Sequence, residues 1–115
     1  MLSIEKLQEY GADTATGLER CMNSEDFYFR MIGMIAQEKS FDKLEEALEE
    51  DDLDKAFEAA HALKGVAGNL SLTPLYNDVA EITELLRART SMDYKEYLGR
   101  IMEQREQIRK LIEEE

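Results

Sequence analysis

The chain contains one histidine, His61. Near pH 7 a neutral imidazole has a free nitrogen lone pair that can attack phosphorus and later leave again, whereas a serine would form a far less reversible ester. Lys64 follows three positions later, on the same side if the segment is helical, where it can hold a positive charge beside phosphoryl oxygens. Gly65 and Gly68 complete the stretch. A glycine inside a helix costs roughly 1 kcal/mol relative to alanine, so the pair costs about 2 kcal/mol that packing does not obviously return. The expected compensation is access, because bare backbone lets another protein's surface approach the imidazole, and helical side chains tilt toward that gap. Phe57, one turn before His61, extends this face. The predicted docking surface is therefore Phe57, Lys64, Gly65 and Gly68 around His61, with a contribution from the segment Phe27 to Ile35.

A helix must position these groups. Leu53, Ala56, Ala60, Leu63, Ala67 and Leu70 alternate at spacings of three and four, which marks one buried seam. At about 100° per residue, His61 falls roughly 140° from the middle of that seam and is predicted to face solvent.

The rest of the chain reads as helix as well, with a single proline and no sustained two-residue alternation. Ser3 caps a helix over about residues 4–10 that Gly11 ends, and Asp13 caps a second running to about Cys21, giving an N-terminal hairpin. Asn23 or Ser24 opens a segment whose Phe27, Tyr28, Met31, Met34 and Ile35 form an apolar stripe expected to bury. Ser40 is expected to cap a shorter helix with Phe41, Leu44 and Leu48. The Asp51-Asp52 pair caps the helix of the histidine. Thr73 reads as a cap followed by Pro74 at the first helical position, leading through Leu75, Val79, Ile82, Leu85 and Leu86. Ser91 is expected to open the last helix, with Tyr94, Leu98, Ile101, Ile108 and Leu111. Short connections between four longer helices predict an all-α fold, an antiparallel four-helix bundle with a short N-terminal helical hairpin. Residues 1–115 form one domain, large enough for one core without metal or disulfides.

Composition narrows the function. With 26 acidic and 14 basic residues the formal charge is -12, which repels nucleic-acid phosphates and anionic lipid. Runs such as Glu45, Glu46, Glu49, Glu50, Asp51 and Asp52, and the tail Glu113 to Glu115, read as solvated helix faces. No apolar run is long enough to span a bilayer and no secretory signal is visible, so a cytoplasmic address is expected. Cys21 has no cysteine partner in the chain and reads as structural, and Met22, Met31, Met34 and Met102 as core filling. Glu58-Ala59-Ala60-His61 matches the Glu-x-x-His spacing of di-iron bundles, but such a site needs two such motifs and further inward carboxylates. No metal site and no bound cofactor are expected.

The residues His61-Ala62-Leu63-Lys64-Gly65-Val66-Ala67-Gly68-Asn69-Leu70, with Ala60 in front, resemble the signature of the histidine-containing phosphotransfer (HPt) domains of bacterial phosphorelays. The acidic turn before the helix, the Leu-x-x-Ala approach and the helix start Leu72-Thr73-Pro74-Leu75-Tyr76 extend the likeness to most of the chain. The resemblance implies that His61 is the phosphorylated residue, Lys64 the cation that stabilises the phosphoryl group, and Gly65 the opening through which a receiver domain docks. One departure stands out: the family usually has glycine at the position of Ser71, and the serine is expected to alter the helix exit without touching the phosphorylated face.

On this reading the protein is a carrier, not an enzyme. It takes a phosphoryl group from the aspartyl phosphate of one receiver domain and gives it to another, with a hybrid histidine kinase as a further partner and magnesium supplied by the receiver. No glycine loop for a nucleotide is present. Two other readings stay open at this stage: an adaptor that binds a receiver without carrying phosphate, and the substrate domain of a larger histidine kinase. The start at Met1 without a linker favours a free-standing protein, and the size of the bundle a monomer.

Overall fold

Side-chain oxygens start most of the helices. In the computed structural model, which describes residues 2–113, Ser3 accepts a hydrogen bond from the Lys6 amide at 3.1 Å and opens α1 (Ile4–Tyr10). Asp13 accepts from the Thr16 amide at 3.2 Å and opens α2 (Thr14–Arg20). Ser24, not Asn23, accepts from the Phe27 amide at 3.2 Å and opens α3 (Glu25–Gly33), which tightens into a 3₁₀ turn at Met34–Gln37. Asp52 caps α5 (Leu53–Asn69) through the Lys55 amide at 3.1 Å. Each oxygen satisfies an amide that has no partner in the first turn of its helix. The expectations placed on Met1, Glu114 and Glu115 lie outside the described residues.

Three predicted helix starts shift. Ser40 is the first residue of α4 (Ser40–Glu49) and not its cap; its amide and hydroxyl both donate to Glu38 Oε1, at 3.2 and 3.0 Å. Thr73 lies inside α6 (Thr73–Arg87), so Leu72 takes the cap position without a side-chain bond, while the Thr73 hydroxyl turns back to the Ser71 carbonyl at 3.4 Å. The last helix, α7 (Lys95–Glu113), begins well after Ser91, where Asp93 accepts from the Lys95 amide at 2.9 Å. At α4 and α7 a neighbouring carboxylate, Glu38 or Asp93, supplies the acceptor that the nominal cap was expected to give, whereas α6 starts without a side-chain acceptor.

Helices α4 to α7 pack in chain order as an antiparallel bundle, with α5 held between α4 and α6, and α6 against α7. The 3₁₀ turn also touches α7. The Arg105 guanidinium lies over the Phe41 ring at 5.1 Å and pairs with Asp42 at 3.2 Å, joining α7 to α4. Phe41, Leu44, Leu63, Leu75, Ile82, Leu86, Ile101 and Ile108 are fully buried, and this apolar interior holds the bundle together. Ala56, Ala60, Leu63, Ala67 and Leu70 of the predicted seam are buried; Leu53, at the end of the helix, is only partly covered. Cys21 is buried.

Two methionines are not core. Met22 is 79% and Met34 59% exposed, because Met22 sits in the turn after α2 and Met34 where α3 tightens. The stripe expected to bury on α3 turns accordingly: Tyr28, Ile32 and Ile35 go inward, while Phe27 and Met31 are half-buried.

The N-terminal hairpin and α3 are tied to the turn between α5 and α6. The Asp13 amide donates to the Ser71 carbonyl at 3.0 Å, and the Tyr28 hydroxyl to the Leu70 carbonyl at 2.8 Å. Arg20 Nη1 donates to the Gly68 carbonyl. Three parts of the N-terminal segment thus bond carbonyls at and just beyond the C-terminal end of α5, where the helix itself supplies few donors.

Candidate functional site

His61 is exposed on α5, facing away from the buried seam as its place on the helical wheel requires. The Phe57 ring stacks on the imidazole with centroids 5.7 Å apart and planes 22° apart. Phe57 is itself covered: the guanidiniums of Arg87 and Arg89 lie 5.1 and 4.9 Å from its centroid. Arg89 is fixed by Asp54 at 2.7 Å and the Leu86 carbonyl at 2.7 Å. A cation held over an aromatic face is attracted by the ring quadrupole, so the two arginines restrain the ring that flanks His61.

On the other side of the imidazole lies a groove of about 510 Å³ lined by His61, Lys64, Gly65 and Gly68. The first three are the groups from which the sequence predicted a phosphoryl site, and they do share one surface. A Cβ added at Gly65 would meet nothing within 4 Å, so this part of the backbone is bare to the outside. At Gly68 a Cβ would come within 3.2 Å of Tyr76 Cε1, so packing of α6 already accounts for that glycine. Phe57 does not line the groove; it supports the imidazole from behind. Glu58 opens onto a separate depression with Lys43, Glu46 and Lys55.

The opposite wall was not foreseen. It comes from α2 and its cap, through Asp13, Thr16 and Arg20, where the sequence suggested the segment Phe27 to Ile35. The Thr16 hydroxyl and amide, with the charge of Arg20 behind them, hold the Asp13 carboxyl below the usual carboxylate range. No spacing rule pairs Arg20 with His61, because the two meet only through tertiary packing. Ser71 also lines the groove, against the expectation that it stays clear of this face. At the helix exit, Ser71 with φ at 53° adopts the left-handed conformation in which helices commonly end, and the Ser71 and Leu72 amides bond the Gly68 and Ala67 carbonyls at 3.1 and 3.0 Å.

A family model of the Hpt domain matches residues 35–115, more than two thirds of the chain. The chain belongs to the Hpt domain family. Hpt domains are histidine phosphocarriers of phosphorelays rather than catalysts, and they work with receiver domains and histidine kinases. No curated protein and no solved structure matches the chain. The Hpt match covers α4 to α7 and with them His61, while α1 to α3 and the second wall of the groove precede it. Among the described residues no helix is long and apolar enough to cross a membrane.

Proposed function

We propose that His61 is the phosphorylated residue of this Hpt domain and that it carries the phosphoryl group reversibly between receiver-domain aspartates. The observation that carries this reading is the exposed imidazole at the edge of a groove whose floor, at Gly65, has room for a partner. The free imidazole nitrogen attacks the phosphorus of an aspartyl phosphate. The N–P bond forms as the P–O bond to the aspartyl carboxylate breaks, and the carboxylate leaves with the electron pair. The other ring nitrogen keeps its proton, so the reverse step needs only a second carboxylate as nucleophile.

Lys64, half-buried in the groove, lies within reach of the phosphoryl oxygens and offsets their charge. Phe57, held by Arg87 and Arg89, restricts the imidazole to orientations from which it can attack. Magnesium belongs to the receiver, and this chain binds no cofactor. The protein works as a single-domain monomer in the cytoplasm.

The test is label transfer from a prephosphorylated receiver, with magnesium, to the parent protein and to His61→Gln. Acid-labile, base-stable label on the parent alone supports the carrier role. Binding to several receivers without label would favour an adaptor. Lys64→Ala should slow transfer about tenfold without abolishing it, as expected for the loss of one charge-assisted contact; an unchanged rate would remove its role.

A further inference from the structure

Resting on the reading of His61 as phosphoryl carrier, we propose that Arg20 is a second phosphoryl-binding cation, closing with Lys64 on the oxygens of the group that His61 carries. Arg20 belongs to α2, outside the segment that matches the Hpt family, yet lines the same groove as His61 and Lys64.

Its position is fixed from behind. The Asp13 amide on the Ser71 carbonyl holds the start of α2, and one arm of the guanidinium, Nη1, sits on the Gly68 carbonyl. A guanidinium has five N–H donors in a rigid fork, so one anchored nitrogen leaves the others oriented. No further acceptor in the described residues takes them.

The charge pattern sets Arg20 apart from most other arginines here. Arg87, Arg89, Arg100, Arg105 and Arg109 each hold a carboxylate within 4 Å, but Arg20 holds none among the described residues, in a chain of formal charge -12. The carboxylate beside it in the groove, Asp13, is engaged by Thr16, with its hydroxyl at 2.8 Å. Asp13, Arg20 and Lys64 leave the groove with a net charge of +1 when His61 is neutral. A locally positive concavity on a strongly acidic protein suits an anion, and a fork of N–H donors suits the several oxygens of a phosphoryl group.

Phosphoramidate is the probe, because it phosphorylates histidine without a receiver: its P–N bond breaks, ammonia leaves, and the imidazole N–P bond forms. The lifetime of the labelled parent, Arg20→Gln and Arg20→Lys is followed, and then the equilibrium of each with a receiver. Arg20→Gln should shorten the lifetime about fivefold and shift the equilibrium about fivefold toward the receiver, as for the loss of one partly exposed ion pair. Arg20→Lys should stay within about twofold of the parent. If Arg20 served only to hold the Gly68 carbonyl, both variants would lower the Tm while lifetime and equilibrium stayed at parent values, which would overturn the proposal. Should Arg20→Gln fail to fold, the Nε–H resonance of Arg20 in the parent is decisive, shifting on phosphorylation if the proposal holds and standing still if it does not. A parent that takes no label from either donor would instead overturn the reading of His61.

Discussion

Gly17 and Gly65 lie on two of the helices that line one groove, and they are there for opposite reasons. A Cβ at Gly17 would fall 2.4 Å from the Tyr28 hydroxyl oxygen, while at Gly65 it would meet nothing within 4 Å. Tyr28 is fully buried and reaches past Gly17 to the Leu70 carbonyl, so the interior of the molecule explains that glycine completely. No packing contact among the described residues asks for Gly65, and a helical glycine without packing costs about 1 kcal/mol against alanine. Its explanation has to come from outside, from a surface that approaches α5. Gly33 and Gly99 are open as well, but neither lines the groove, and Gly33 marks the place where α3 tightens. The N-terminal buttress is therefore shaped by what it packs on, and the His61 face by what it must admit.

The sharpest way to break this comparison is to fill the open position. Gly65→Arg should reduce transfer from a receiver by about a hundredfold or more, since a misplaced reacting pair loses roughly that much. The variant's Tm should equal or exceed the parent's, because arginine is the better helix former. A folded Gly65→Arg protein that transfers at the parent rate would mean that partners do not approach over this turn.

The packed position should respond in the other currency, stability. Gly17→Ala drives a methyl into the Tyr28 hydroxyl and should cost about 2 kcal/mol, the middle of the range for overpacking a core, and lower the Tm by roughly 10 °C. A melt that matches the parent would show that Tyr28 has somewhere else to go.

Tyr28 also gives the buttress a pH signature. Burial pushes its hydroxyl from the ordinary 10.0 up to about 12, with smaller contributions from Cys21 and Asp13. The folded state holds the proton after the unfolded chain has released it. The tyrosine's stabilisation is thus complete below about pH 10 and is lost as pH climbs toward 12. Denaturant midpoints across that window should fall for the parent and fall less for Tyr28→Phe; equal slopes would show that Tyr28 does not titrate in the transition.

What the sequence made legible follows from which signals are local. Ser3 and Asp13 were readable as helix starts, and Ser24 and Asp52 each as one of two adjacent candidates, because a short polar side chain reaches an amide three residues on; the same signal misplaced the starts at Ser40, Thr73 and Ser91. The exposure of His61 was readable because the apolar seam fixes the opposite side of α5. The end of α2 was placed to within a residue, but the left-handed geometry of later exits was not announced by residue type: Gly11 shows its turn, whereas Ser71 and Arg89 adopt the same region without doing so. The second wall of the groove was hidden for a deeper reason: the bond from Arg20 to the Gly68 carbonyl spans 48 positions and exists only once α2 is seated on the end of α5.

The smallest predicted effect tests one of those unannounced exits. Ser71 sits at φ 53°, where an L-residue carries about 1 kcal/mol or more of steric cost and glycine carries none. Ser71→Gly relieves that cost but also gives the unfolded chain more freedom to lose, which returns part of the gain. The backbone contacts at this position survive the change, since the Asp13 amide and the Thr73 hydroxyl both bond the Ser71 carbonyl. A net gain of about 0.5 kcal/mol should appear in thermal or denaturant melts, with label transfer to His61 unaffected. A loss of stability would show that the buried serine side chain, and not the backbone alone, holds the end of α5 in place. A loss of transfer at unchanged stability would instead place Ser71 among the groups that touch the incoming partner, which its position on the groove wall makes a real alternative.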